Sequence, residues 1–173
     1  MKILFAAAAV LALSTTSFAQ SPKATESVTI GSKAITINYS APSVRGRQIF
    51  GDGGLVSHDP NYPVWRAGAN SATAFHTDAD LDINGLAVPA GNYSLYALVK
   101  DPDNWELIIS KQTGQWGLTY KQSEDLGRVK MTMAKPAAIV EVCKYTLTDL
   151  GGKKAKLDLS WEKHSASVTI TVK

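Results

Sequence analysis

Leu157-Asp158-Leu159-Ser160-Trp161-Glu162 and, after a short break, Ser167-Val168-Thr169-Ile170-Thr171-Val172 decide the fold class of this chain. Apolar and polar side chains alternate strictly in both runs, and a period of two puts every apolar residue on one face of an extended strand. A helix would scatter the same residues around its circumference. The pattern returns at Ile35/Ile37/Tyr39 against Thr36/Asn38, and at Val129/Met131/Met133 against Arg128/Lys130/Thr132. Runs 72–77, 93–100 and 105–111 carry apolar residues on both faces, the mark of central strands.

The punctuation between these runs agrees. Asn84-Gly85, set between Leu81/Ile83 and Leu86/Val88, is the signature of a two-residue hairpin whose central positions both take positive φ. Pro89-Ala90-Gly91, Asp101-Pro102-Asp103-Asn104 and Gly151-Gly152 supply further turns. Short one-faced strands of this kind bury their apolar sides only against one another. The expected fold is therefore all-β, a two-sheet antiparallel β-sandwich of jelly-roll type with little helix beyond the N-terminal segment. One short helical turn is expected within 112–127.

Outside the strands, the N-terminal segment carries the clearest signal. Lys2, an apolar run over 3–13 and Ser17-Phe18-Ala19 have the layout of a secretory signal peptide, residues 1–19, cut after Ala19. Export to the periplasm or the medium is expected, with residues 20–173 as a single sandwich domain. The leader's apolar run is shorter than the roughly 20 residues of a membrane-spanning helix, and no later run matches that length. The chain holds 18 Lys and Arg against 15 Asp and Glu, for a formal net charge of +3. The positive residues are scattered rather than gathered into a stripe, which argues against nucleic acid as a partner. Cys143 is the one cysteine, so no internal disulfide can form. Alternation places it on the face of Ile139, Tyr145 and Leu147, as a small core residue.

The stretch 41–70 is too long for a hairpin connection, and loops of that length inside a compact domain commonly carry function. Over it run Tyr39-Ser40-Ala41-Pro42-Ser43-Val44-Arg45-Gly46-Arg47-Gln48-Ile49-Phe50-Gly51, which enters from the preceding strand, and then Val64-Trp65-Arg66-Ala67-Gly68-Ala69-Asn70. With the later Pro89-Ala90-Gly91-Asn92-Tyr93 and Trp161-Glu162-Lys163, these segments resemble a family of exported bacterial proteins catalogued as domain of unknown function 2911. The resemblance runs from about Tyr39 to Trp161, and Trp-Arg-x-Gly-Ala-Asn is its most specific block. It implies no catalytic residues. Asp52-Gly53-Gly54 and residues 57–63 lengthen the loop relative to the family pattern.

Chemically, the loop gathers recognition groups. Arg45, Arg47 and Arg66 offer planar guanidinium forks suited to carboxylate or phosphate, Trp65 an indole face for a sugar or ring, and Asn70 an amide. These five are the candidate ligand-binding residues, for a small polar, anionic or carbohydrate-like molecule. The competing reading makes Trp65 a plug at a sheet end and Arg66 the partner of buried carbonyls or a carboxylate. His76, with Asp78, Asp80 or His58 in reach, is the candidate for acid–base or metal chemistry. However, the spacings that mark a zinc site are missing. Asp78, Asp80 and Asp82 recur every second residue and read as a solvated strand face. No G-x-S-x-G elbow or phosphate-binding P-loop occurs, and no catalytic residue, metal or cofactor is assigned. A non-catalytic envelope binding module is the leading expectation. A structural or partner-binding envelope protein, and a hydrolase using His76 with nearby carboxylates, are the alternatives.

Overall fold

The computed structural model describes residues 20–173, so the signal-peptide reading of 1–19 lies outside the described residues. In chain order the strands are β1 (Lys23–Ile30), β2 (Lys33–Ser40), β3 (Val64–Trp65), β4 (Thr73–Thr77), β5 (Leu81–Ile83), β6 (Leu86–Val88) and β7 (Gly91–Asp101). They continue with β8 (Asn104–Ser110), β9 (Asp125–Lys130), β10 (Thr132–Ala134), β11 (Val140–Gly151), β12 (Lys154–Glu162) and β13 (His164–Val172). Short 3-10 turns at Leu55–His58 and Gln122–Glu124 are the helical pieces among the described residues.

Two antiparallel sheets form the sandwich. One runs β1-β2-β4-β7-β8-β9, with β3 pairing β7 beyond the end of β4; the other runs β11-β12-β13-β5-β6, with β10 also pairing β13. The doubly apolar runs become β4, β7 and β8, the interior of the larger sheet. Asn84 and Gly85 take φ of 47° and 92°, closing the β5–β6 hairpin as the dipeptide requires. Ile35, Ile37, Leu107 and Ile109 from one sheet meet Leu157, Leu159, Val168 and Ile170 from the other in one buried cluster. The sheet edges approach on one side, where the Leu147 N–H donates to Glu26 Oε1 (3.0 Å) and the Tyr145 N–H to the Tyr39 hydroxyl (3.2 Å).

Two sequence expectations are corrected. The run 128–133 alternates as expected but is not one strand: β9 ends at Lys130 beside β8, and β10 begins at Thr132 beside β13. Met131 is the buried crossing point between sheets, held by its N–H donating to the Trp105 carbonyl (2.9 Å). Ile139 does not share the face of Cys143, Tyr145 and Leu147. It precedes β11 and is 58% exposed, because the register shift between Val140 and Lys144 breaks the alternation on which that grouping rested. Cys143 is fully buried, and burial alone pushes its thiol well above the ordinary value, leaving it an inert core group.

The long loop enters the core. Ile49, Phe50 and Val56 are buried, and the Phe50 ring lies 5.3 Å from Trp65, 4.7 Å from Trp105, 5.8 Å from Trp161 and 5.0 Å from His164. Trp65 and Trp105 belong to the larger sheet, Trp161 and His164 to the smaller. Phe50 thus plugs the gap between sheets at one end of the sandwich. Gly54 permits the loop's return, since a Cβ there would stand 2.7 Å from the Ile49 and Phe50 carbonyl oxygens. Phe50→Ala should lower stability by about 3–5 kcal/mol, the usual cost of emptying a buried aromatic site; denaturant unfolding followed by tryptophan fluorescence checks it, and a loss under about 1 kcal/mol would refute the plug.

Candidate functional site

The loop from Val64 to Asn70 is fixed at nearly every residue. Val64 and Trp65 pair with Leu98 and Ala97 of β7. Trp65 Nε1 donates to the Gly68 carbonyl (3.2 Å), and its ring stacks on Trp161 at 5.5 Å. The Ala67 carbonyl accepts from the Tyr145 hydroxyl (2.9 Å) and from Thr73 Oγ1 (3.0 Å), while the Ala69 N–H donates to Ser40 (3.1 Å). Ala67 and Asn70 take positive φ, 48° and 60°, and fold the segment back on itself. The result projects Arg66 and Asn70 outward from a rigid base.

Beside them lies a cavity of about 390 Å³. Its floor is apolar, built from Pro42, Val56, Trp65 and Trp161, and its polar wall is His58, Asp59, Arg66 and Asn70. Arg66 donates through Nη2 to Asp59 Oδ2 at 3.2 Å; the two side chains are 20% and 5% exposed. A second Arg66 nitrogen reaches toward the Asn70 carbonyl at 3.5 Å. Leu118 also lines the cavity, and its segment is tied to the loop. The Gly117 N–H donates to the Asn70 carbonyl (3.0 Å), Asn61 Nδ2 donates to the Leu118 carbonyl (2.8 Å), and a Cβ on Gly117 would collide with Arg66 Cδ.

The five residues singled out in the sequence do not converge on one point. Trp65, Arg66 and Asn70 share this cavity, with Trp65 buried as part of its floor. Arg47 lines a separate cavity with Gln48, Phe50, Glu162 and His164, and its guanidinium donates to the Val44 (3.0 Å) and Ser43 carbonyls (2.6 Å). Arg45 is exposed at φ 50° in the intervening turn, its backbone N–H held by Glu141 Oε1 (2.8 Å). Two contributors went unread in the sequence. Asp59 carries no local signal and His58 is offered by sequence only as a neighbour of His76; the Arg66–Asp59 pairing depends on a fold-back that no local pattern announces.

His76 stands on the open face of the larger sheet, 42% exposed, with Nε2 3.0 Å from Asp78 Oδ1 and Nδ1 2.9 Å from Asn92 Oδ1. These hydrogen bonds, Asp78 first, raise its pKa above the ordinary histidine value. Asp78 is lowered, chiefly by the Ala34 N–H and then by His76. The carboxylate the sequence placed near His76 is thus present, but on an exposed surface with both ring nitrogens already engaged. Asp80 and Asp82 accept backbone N–H groups from Ala90 and Gly85 (2.8 Å each), so the acidic ladder caps turns. Among the described residues no three His, Cys, Asp or Glu side chains gather as a metal site, and no helix is long and apolar enough to cross a membrane.

Sandwich and cavity together define a two-sheet scaffold with an apolar-floored cavity, edged by polar side chains, under a folded-in loop. The chain belongs to the family described as protein of unknown function DUF2911, whose model matches residues 21–170. No curated protein and no solved structure matches it.

The His76 pair carries a pH signature. A histidine raised in the folded state adds stability that is fully present below its unfolded pKa and is lost as pH rises through the higher folded value. NMR titration should place His76 above the ordinary value, and Asp78→Asn should bring it down; a His76 pKa unchanged by Asp78→Asn would remove the pair from the account.

Proposed function

We propose that this protein is an exported, non-catalytic binding module of the bacterial envelope, taking a small neutral polyhydroxylated ligand, of carbohydrate type, in the Arg66 cavity. The leader over residues 1–19 supports export. The single observation that carries the binding assignment is the composition of the cavity. Hydrogen-bonding groups of both kinds, the Arg66 and Asn70 donors with the Asp59 and Asn70 acceptors, stand over an apolar floor. That is the usual economy of a ligand site, a mostly apolar surface with a few placed polar groups.

The choice of a neutral ligand follows from the ion pair. Arg66 alone would favour an anion, but Asp59 beside it cancels the charge and adds acceptor oxygens. A carboxylate or phosphate ligand would meet that oxygen at close range. Hydroxyl groups, which donate and accept, suit an Arg–Asp–Asn wall better.

Asn70 provides a clean test, since its φ of 60° is one glycine adopts freely and its side chain makes no hydrogen bond among the described residues. Asn70→Gly therefore removes the amide without straining the turn. Screened by thermal denaturation against mono- and oligosaccharides, the wild type should gain about 2.7 kcal/mol from a sugar present at a hundred times its Kd. Asn70→Gly should keep its unliganded Tm and bind that sugar at least tenfold more weakly. A full panel of sugars without a shift, or equal binding by Asn70→Gly and Arg66→Gln, would overturn the assignment.

A further inference from the structure

The tip of the β12–β13 hairpin places a carboxylate and an imidazole at the base of a second cavity, on the other side of Phe50. Trp161 pairs with His164 across the strands, so the turn consists of Glu162 and Lys163 alone. Glu162 takes φ +55°, at the first turn position where Gly, Asn and Asp are the ordinary residues. A longer charged side chain held there is backbone strain, and such strain gathers at functional sites. Its effect is to keep the carboxylate inward, with only 10% of the side chain exposed.

Once buried, that carboxylate is poorly served. Oε1 accepts one long hydrogen bond from the Ile49 N–H (3.3 Å). Oε2 lies 3.4 Å from His164 Nδ1, and that buried nitrogen makes no hydrogen bond among the described residues. A carboxylate can accept about four hydrogen bonds and is costly to bury with fewer. The His164 ring is stacked on Trp105 at 5.5 Å, and burial, the largest influence on it, pushes its pKa down against the pull of Glu162. The imidazole is therefore a weak counter-ion, and the base of the cavity presents a carboxylate short of hydrogen-bond donors.

Around this base the cavity, about 460 Å³, is lined by apolar Val44, Phe50 and Ile139 and by the cations Arg47 and Lys163, while the Gln48 amide nitrogen is engaged by the Phe50 and Asp52 carbonyls. A buried acceptor, apolar side chains and exposed cations thus line one cavity. We propose that this cavity is a second ligand site, distinct from the Arg66 cavity, that takes a free α-amino acid with an apolar side chain. Its ammonium sits on Glu162, its carboxylate meets Lys163 and Arg47, and its side chain lies against Val44, Phe50 and Ile139. A simple anion is refused by the buried carboxylate, and a simple amine leaves the Lys163 ammonium without a counter-charge.

Three probes of one shape separate these demands: L-leucine, 4-methylpentanoate, which lacks the amine, and 3-methylbutylamine, which lacks the carboxylate. By calorimetry or NMR titration of the intact protein, leucine should bind at least tenfold more tightly than either fragment. Glu162→Gln, which keeps an oxygen for the Ile49 N–H, should lose at least tenfold in leucine affinity, and Lys163→Ala, an exposed change, should lose severalfold. Arg66→Gln, in the other cavity, should leave leucine binding unaltered. Wild type that binds no leucine, a fragment that binds as well as leucine, or folded Glu162→Gln with unchanged affinity would each overturn the proposal. None of these outcomes bears on sugar binding at Arg66.

Discussion

The wedge of Phe50 between Trp65, Trp105, Trp161 and His164 is the contact on which this end of the molecule depends. Two sheets that pack face to face leave a gap where their strands diverge, and a gap lined by indoles is costly to leave wet. A strand residue cannot fill it, because each strand already spends its inward side chains on the core. The chain fills it from a loop, and the length of that loop follows from the task. It must leave β2 at Ser40, send Ile49 and Phe50 inward, return through the turn at Leu55–His58, and rejoin the larger sheet as β3. The plug is worth several kcal/mol by burial and edge-to-face aromatic contacts, which sets the loop apart from a mobile surface excursion.

Polar chemistry is then confined to the flanks of the plug. On one side Arg66 and Asp59 neutralise one another over the Trp65 and Trp161 floor; on the other Glu162 and His164 sit behind Phe50. Both carboxylates are nearly buried, but they are treated differently. Asp59 has a guanidinium partner and accepts the Asn61 N–H (2.9 Å), so its charge is met within the protein. Glu162 has only a long amide bond and a reluctant imidazole. Unequal satisfaction of similar groups is what distinguishes the closed Arg66–Asp59 pair from the under-served Glu162 carboxylate.

Much of the fold was legible because its signals are local. The alternation in 157–162 and 167–172, the doubly apolar central runs and Asn84-Gly85 each specify their own geometry from a few neighbouring residues. β1 went unread for a physical reason. Its inward positions include Ala24 and Glu26, and Glu26 faces inward because at the sheet edge it meets the Leu147 N–H of β11 rather than the apolar core. The break at Met131 was equally silent, since alternation records which face is buried and not which sheet the strand joins. For the site, the shared block carries Trp65, Arg66 and Asn70 to one cavity, with Trp65 buried as a plug and Arg66 paired to a carboxylate, as the competing reading of those two residues has them. Sequence could not separate Arg45 and Arg47 from them, nor attach Asp59 or Glu162, because those relations are made by the fold-back of the loop.

Backbone strain shows where this architecture is most constrained. Among the described residues, six non-glycine residues adopt positive φ. Asn84 and Lys153 belong to hairpin turns where the chain reverses in solvent, and asparagine tolerates that conformation. The other four, Arg45, Ala67, Asn70 and Glu162, all lie at the plugged end, in the loop or at the hairpin tip that meets it. Ala67 is fully buried and Glu162 nearly so, so neither is there for want of a better surface residue. Glycine would relieve each of them, yet at Glu162 it would delete the carboxylate and at Asn70 the amide. Asparagine tolerates the conformation at 70, so the strain falls on Glu162, where a charged side chain is held beside a cavity at a turn position that glycine would fill more easily.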